Sequence, residues 1–195
     1  MRLPSLVLAS AGLLGITLAA CSRPPDGLQD LPAVQGFQLS SSEGTPFTEA
    51  DLDGEVWVVN FFFTRCPTIC PLLMDGVHEV YQRWAEDERV NFLSITVDGG
   101  FDTPEVLRAY REARGLPNHR WVLATGERET IIELSEQSFL QAVASQMDEG
   151  GDILHSSRVL VLDQKRGLRG WFDVFDENDH PRLDTVVDYL LNEDR

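Results

Sequence analysis

Apolar and polar positions along the chain fall into two alternating periods. Val56 to Phe63 (VWVVNFFF) is a continuous apolar run, rich in β-branched and aromatic residues. Such a run predicts a strand buried on both faces. Upstream, Phe37 to Glu55 reads as a small hairpin with a Ser-Glu-Gly turn, followed by a polar turn. Downstream, Pro71 is expected to open a helix, because proline fits the first helical position and not the interior. Val77, Val80, Tyr81 and Trp84 continue that helix's apolar stripe. Val90 to Asp98 is the next strand. A second helix follows, capped by Asp102 or Thr103, with Pro104 at its start and Gly115 at its end. A short strand (RWVLATG), a helical region from about Glu127 to Ser145, and two strands joined by Gln-Lys-Arg-Gly come next. Leu183, Val186, Val187, Leu190 and Leu191 form one face of a closing helix. The alternation predicts an α/β sheet with helices on both faces.

The first twenty residues differ from the rest. They hold one early charge, Arg2, then an apolar stretch, then Leu18-Ala19-Ala20-Cys21. The stretch contains Pro4, serines, glycines and a threonine, which disfavours a spanning helix and favours a secretory signal. The Leu-Ala-Ala-Cys end resembles the bacterial lipobox, where cleavage precedes a cysteine that then carries lipid. The expected organisation is a lipoprotein signal over 1–20, a flexible tether lipidated at Cys21 over 21–34, and one domain over 35–195. The protein would then be anchored in the bacterial cell envelope, facing the periplasm or exterior. Composition is that of a globular protein, but the formal net charge is −16. That charge argues against a nucleic-acid partner, which needs a basic footprint.

With Cys21 committed to lipid, Cys66 and Cys70 are the free thiols among the chain's three cysteines. They lie where the first buried strand hands over to its helix, the usual place for a site in such sheets. A helix N-terminus lowers a thiol's pKa, and the resulting thiolate is both nucleophile and metal ligand. A disulfide across so short a loop restrains the unfolded chain little, so a purely structural staple is disfavoured. Redox enzymes of the thioredoxin kind usually carry Cys-x-x-Cys. Here three residues intervene, in Cys-Pro-Thr-Ile-Cys. The wider loop lets two sulfurs grip one ion at about 2.3 Å, yet still permits a disulfide. Those enzymes also place a proline before a late strand. This chain has no proline between Pro117 and Pro181, and His155 stands in that neighbourhood. Two thiolates and an imidazole suit copper: Cu(I) favours soft sulfur, and Cu(II) gains from nitrogen. The residues leave open a metal site, a redox couple, and a sensor of redox or copper state.

The segments FFFTRCPTICPLLM, SITVDGGFDTPEVLRAYREARG, WVLATGERETI and LHSSRVLVLD together resemble the Sco/SenC copper-binding proteins of respiratory oxidase assembly. The resemblance implies a thioredoxin-like fold, with a central mixed sheet flanked by helices and an N-terminal β-hairpin extension. It implies copper ligands at Cys66, Cys70 and His155. It also implies copper delivery to the binuclear copper site of cytochrome c oxidase, with thiol-disulfide activity proposed for some members. Partners would be the oxidase copper-site subunit and, further, a periplasmic copper chaperone or a thioredoxin-like reductant. The sequence departs from the family pattern at Gly99-Gly100, where proline is usual, at Leu154, where an acidic residue is common, and at Gln164 after Asp163. Asp98 is a candidate neighbour of the site or a strand-end cap. Met74 is expected to pack in the core. His78, His119 and His180 are expected at the surface.

Overall fold

The computed structural model describes residues 23–140 and 157–193. Its centre is the strand expected from the apolar run: β3, Val56–Phe62, is buried at every position. The sheet has seven strands in the order β2-β1-β5-β4-β3-β6-β7. β4 (Val90–Thr96) and β5 (Trp121–Thr125) continue from β3 in parallel, as strands joined by crossover helices do. β1 (Gln38–Ser41) and β2 (Pro46–Thr48) form the N-terminal hairpin, and β1 pairs antiparallel with β5. β6 (Arg158–Leu162) runs antiparallel to β3, and β7 (Leu168–Asp173) completes the second hairpin. The sheet is therefore mixed and thioredoxin-like.

Two apolar layers sandwich it. Val56, Val58 and Phe62 face one layer, filled by α1 (Ile69–Trp84), α2 (Pro104–Arg114) and α4 (Asp179–Glu193). Trp57, Val59 and Phe61 face the other, which includes Ile131 of α3 (Arg128–Glu133) and Phe139. α3 runs on into a π-helical turn at Leu134–Ser138. The expected helical region extends past residue 140, beyond the described residues.

The local signals act as their chemistry dictates. Thr103, not Asp102, caps α2: its side chain accepts from the Val106 amide, Pro104 starts the helix, and Gly115 ends it at φ 62°. α1 begins at Ile69, two residues earlier than proline placement suggests. The first-turn amides of a helix have no intrahelical acceptor, so Pro71 is tolerated at the third position. That shift puts Cys70 inside the helix rather than before it.

Part of the expected tether is docked. Gln29 and Leu31 donate backbone hydrogen bonds to Arg169 and Leu168 of β7, and Val34 donates to Arg166. Arg169 returns one to the Gln29 carbonyl at 2.8 Å and also holds Asp163 at 2.8 Å. Val34 is fully buried. Among the described residues, no helix is long and apolar enough to cross a membrane.

Candidate metal and redox site

Cys66 sits in the loop leaving β3, and Cys70 is the second residue of α1. Both are free thiols. The flanking prolines suggest an exposed turn, but from Cys66 to Cys70 only Pro67 and Thr68 are exposed. Cys66 is 6% exposed and Cys70 is fully buried. The reason is the helix stripe: Cys70, Leu73, Met74 and Val77 share one face at helical spacing, and all four are buried. The Cys70 amide donates to the Cys66 sulfur at 3.3 Å. The first turn of α1 carries no acidic residue, so nothing in it competes for the positive helix end.

The two thiols differ electrostatically. Burial pushes Cys66 up, but hydrogen bonds from the amides of Cys70 and Thr68 and from their side chains outweigh it. The Cys66 thiol lies below its ordinary value. Burial pushes Cys70 up to about 12; a backbone hydrogen bond at Phe63 opposes this, while Cys66 and Asp102 add to it. The loop thus offers one thiol that releases its proton more easily than usual beside one that retains it.

Asp102 is the site residue that sequence reasoning missed. It is fully buried. Its carboxylate accepts from the Thr64 amide at 3.0 Å, from the Thr64 hydroxyl, and from the Thr96 hydroxyl. It therefore fastens the loop carrying Cys66 to the end of β4. A Thr-Pro pair directly after an aspartate looks like a helix cap, and nothing local signals the contact with Thr64. Asp98 pairs with Arg65 at 2.6 Å, and the Arg65 guanidinium lies 4.0 Å from the Phe101 ring centre. Asp98 is thus bound to the residue preceding Cys66. The Gly99 departure has a steric cause: a Cβ there would stand 2.0 Å from the Gly126 carbonyl oxygen.

The remaining candidates separate clearly. Met74 is fully buried and accepts from the Asn60 side chain at 3.5 Å, which fits core packing. His78 is half-buried rather than superficial, with its ring 6.0 Å from that of Trp121. His180 is likewise half-buried, with Nε2 2.8 Å from the Val174 carbonyl. His119 is exposed. Cys21 and His155 lie outside the described residues. Among those described, no group of three or more histidine, cysteine or acidic side chains is placed to hold a metal ion. The donor set present is two sulfurs, which fits a soft, low-coordinate ion.

A family model described as SCO1/SenC matches residues 26–190. The chain belongs to the SCO1/SenC family. It is 27% identical over 158 residues to a SCO1 protein homolog of Bacillus subtilis, covering 78% of this chain and 80% of that one. It is also 27% identical over 143 residues to a putative copper-binding protein of Stutzerimonas stutzeri, covering 71% and 68%. Among solved structures, a SCO1/SenC family lipoprotein from Bacillus anthracis superposes with a TM-score of 0.75 at 27% identity. That match covers 86% of this chain and 99% of the other. The SCO1/SenC match extends upstream to residue 26, into the docked segment.

Proposed function

We propose that this SCO1/SenC protein is a copper metallochaperone, binding Cu(I) or Cu(II) through Cys66, Cys70 and His155 and delivering copper to the binuclear site of cytochrome c oxidase. The observation that carries this reading is the thiol pair at the α1 N-terminus, four residues apart with the Cys70 amide on the Cys66 sulfur. Such a pair supplies two soft donors, and a Cu(I) thiolate site needs few others. The similarity to a putative copper-binding protein supports the choice of metal. Cys21 is the proposed lipid anchor, which the likeness to a family lipoprotein supports.

The test is a copper titration of wild type against His155→Ala, with spectroscopy of the Cu(II) form. The variant should keep Cu(I) binding through two sulfurs and lose Cu(II) affinity by at least about tenfold. Oxidase assembly in cells should fall with it. Cys21→Ser should leave the protein unprocessed or release it from the membrane fraction; a processed, membrane-bound variant would exclude the anchor.

A second reading, a thiol-disulfide oxidoreductase keeping the acceptor's cysteines reduced, is favoured by the thiol asymmetry. A low Cys66 would attack and the retained Cys70 would resolve. Normal oxidase assembly with His155→Ala, alongside failure of both cysteine variants, would select it over copper delivery.

A further inference from the structure

Residues 25–34 form a strap that extends the sheet beyond β7. Gln29, Leu31 and Val34 donate to the Arg169, Leu168 and Arg166 carbonyls, and Ala33 bridges Gly167 in antiparallel sense. Leu28 packs against the apolar layer of α1, α2 and α4, while Leu31 packs against the other layer. The strap therefore grips both faces of the sheet edge, and Val34 is fully buried where it joins the domain. A segment with paired backbone and apolar contacts on two faces does not behave as a flexible linker.

Its direction decides where the chain leaves. Residue numbers fall along the strap as they rise along β7, from Val34 beside Arg166 to Gln29 beside Arg169. β7 ends at Asp173, which pairs with Arg158 at the start of β6. β6 runs antiparallel to β3, with Leu160 opposite Val59, so Arg158 and Asp173 lie level with the end of β3 that leads into Cys66. The Asp173 amide donates to Asp179 at the start of α4 at 2.9 Å, and Pro25 and Asp26 border a cleft with Pro181 and Arg182 of that helix. The chain toward Cys21 thus departs at the thiol-bearing end. The opposite end, marked by Glu88 just before β4, lies roughly 20 Å away along the seven residues of β3.

We propose that the strap orients the domain on the membrane, holding the thiol-bearing end nearest the bilayer, so that an acceptor meets Cys66 in the space between domain and lipid. This rests on the lipid anchor proposed at Cys21. From Pro25 back to Cys21 the chain, even fully extended, is shorter than the sheet is tall, so the Glu88 end cannot swing down in place of the thiol end. The partner this arrangement fits carries its receiving groups close to the membrane surface. Charge keeps the space open: Asp26, Asp176 and Glu177 are exposed at this end, and an anionic lipid surface repels them within a Debye length.

The experiment uses the full-length, lipidated chain in vesicles of phosphatidylethanolamine and phosphatidylglycerol that contain a maleimide-headgroup lipid. Cys66→Ser and Cys70→Ala remove the native thiols. One exposed position then takes a cysteine, Thr68→Cys at the thiol-bearing end or Glu88→Cys at the other. Each labelling rate is divided by the rate with a soluble maleimide, which cancels intrinsic reactivity. The parent is common to both arms, so a change in its stability shifts neither ratio against the other. The expected ratio is at least about tenfold higher for Thr68→Cys, because effective concentration collapses where a linker cannot span the gap. A long Gly-Ser insertion between Cys21 and Pro25 should erase the difference. Equal ratios, a higher ratio for Glu88→Cys, or a preference that survives the insertion would each overturn the inference. Vesicles that retain no wild-type chain would overturn the anchor at Cys21, and this inference with it.

Discussion

The backbone amide of Cys70 donates a hydrogen bond to the sulfur of Cys66 across 3.3 Å. One cysteine thereby stabilises negative charge on the other, while its own thiol is turned into the core beside Leu73 and Met74. The helix N-terminus serves the first sulfur at the expense of the second.

Thiol modification should follow that order. In the metal-free, reduced protein at neutral pH, iodoacetamide should label Cys66 well before Cys70. Peptide mapping of partially alkylated protein reads this directly. Equal labelling at the two positions would show that the asymmetry does not survive in solution.

The retained Cys70 thiol carries a pH signature. Its folded value, about 12, lies above the ordinary value of 9.0, so the unfolded chain releases this proton first. Stability contributed by the folded thiol is complete below about pH 9. It is lost as pH rises toward 12, at up to about 1.4 kcal/mol per unit. Urea unfolding of metal-free protein at pH 8 and pH 10 should show a larger alkaline loss in wild type than in Cys70→Ala.

Asp102→Ala strands a backbone amide and two hydroxyls in a buried position. Unfolding free energy should fall by about 2–4 kcal/mol, since each unsatisfied group costs roughly 1–3 kcal/mol and hydroxyls can reorient. Asp102→Asn should cost less and should speed Cys70 alkylation, because the carboxylate charge raises that thiol. An Asn variant with unchanged Cys70 labelling would remove the electrostatic link.

Gly99 and Gly100 are neighbours with opposite tolerance. A Cβ at Gly99 meets the Gly126 carbonyl oxygen at 2.0 Å, whereas a Cβ at Gly100 meets nothing within 4 Å. Gly99→Ala should therefore lower stability by about 1–3 kcal/mol through overpacking. Gly100→Ala should stay within about 0.5 kcal/mol of wild type. Thermal melts of the pair decide it.

The parts of this architecture that are legible in the sequence are those set by local pattern. Val56 to Phe62 announces a central strand because burial on both faces leaves no polar alternation. Thr103-Pro104 and Gly115 announce α2 because capping and left-handed geometry restrict residue choice. The position of the thiols at the β3–α1 junction is legible; their burial is not. Prolines mark the turn, yet the stripe that buries Cys70 starts at Cys70 itself, one turn before its plainer members. The Asp102–Thr64 contact spans 38 positions, and no local pattern signals it. Contacts of that kind arise from packing between elements, which no local period encodes.

The fastening of Gln29–Val34 to β7 has a consequence for range. Pro25 and Asp26 border a cleft with Pro181, Arg182 and Thr185 in the first turns of α4. That helix starts beside the end of β7 that pairs with Arg158, at the thiol-bearing end of the sheet. If Cys21 carries the proposed lipid, the slack before Pro25 would be four residues, about 14 Å at full stretch. Such a mooring would keep the domain close over the bilayer, sweeping a disc rather than a hemisphere. The search for an acceptor would become a lateral one, with the effective concentration of any acceptor seated in the same membrane set by that short leash. Inserting residues between Cys21 and Pro25 would widen the sweep while leaving every atom of the thiol site where it is.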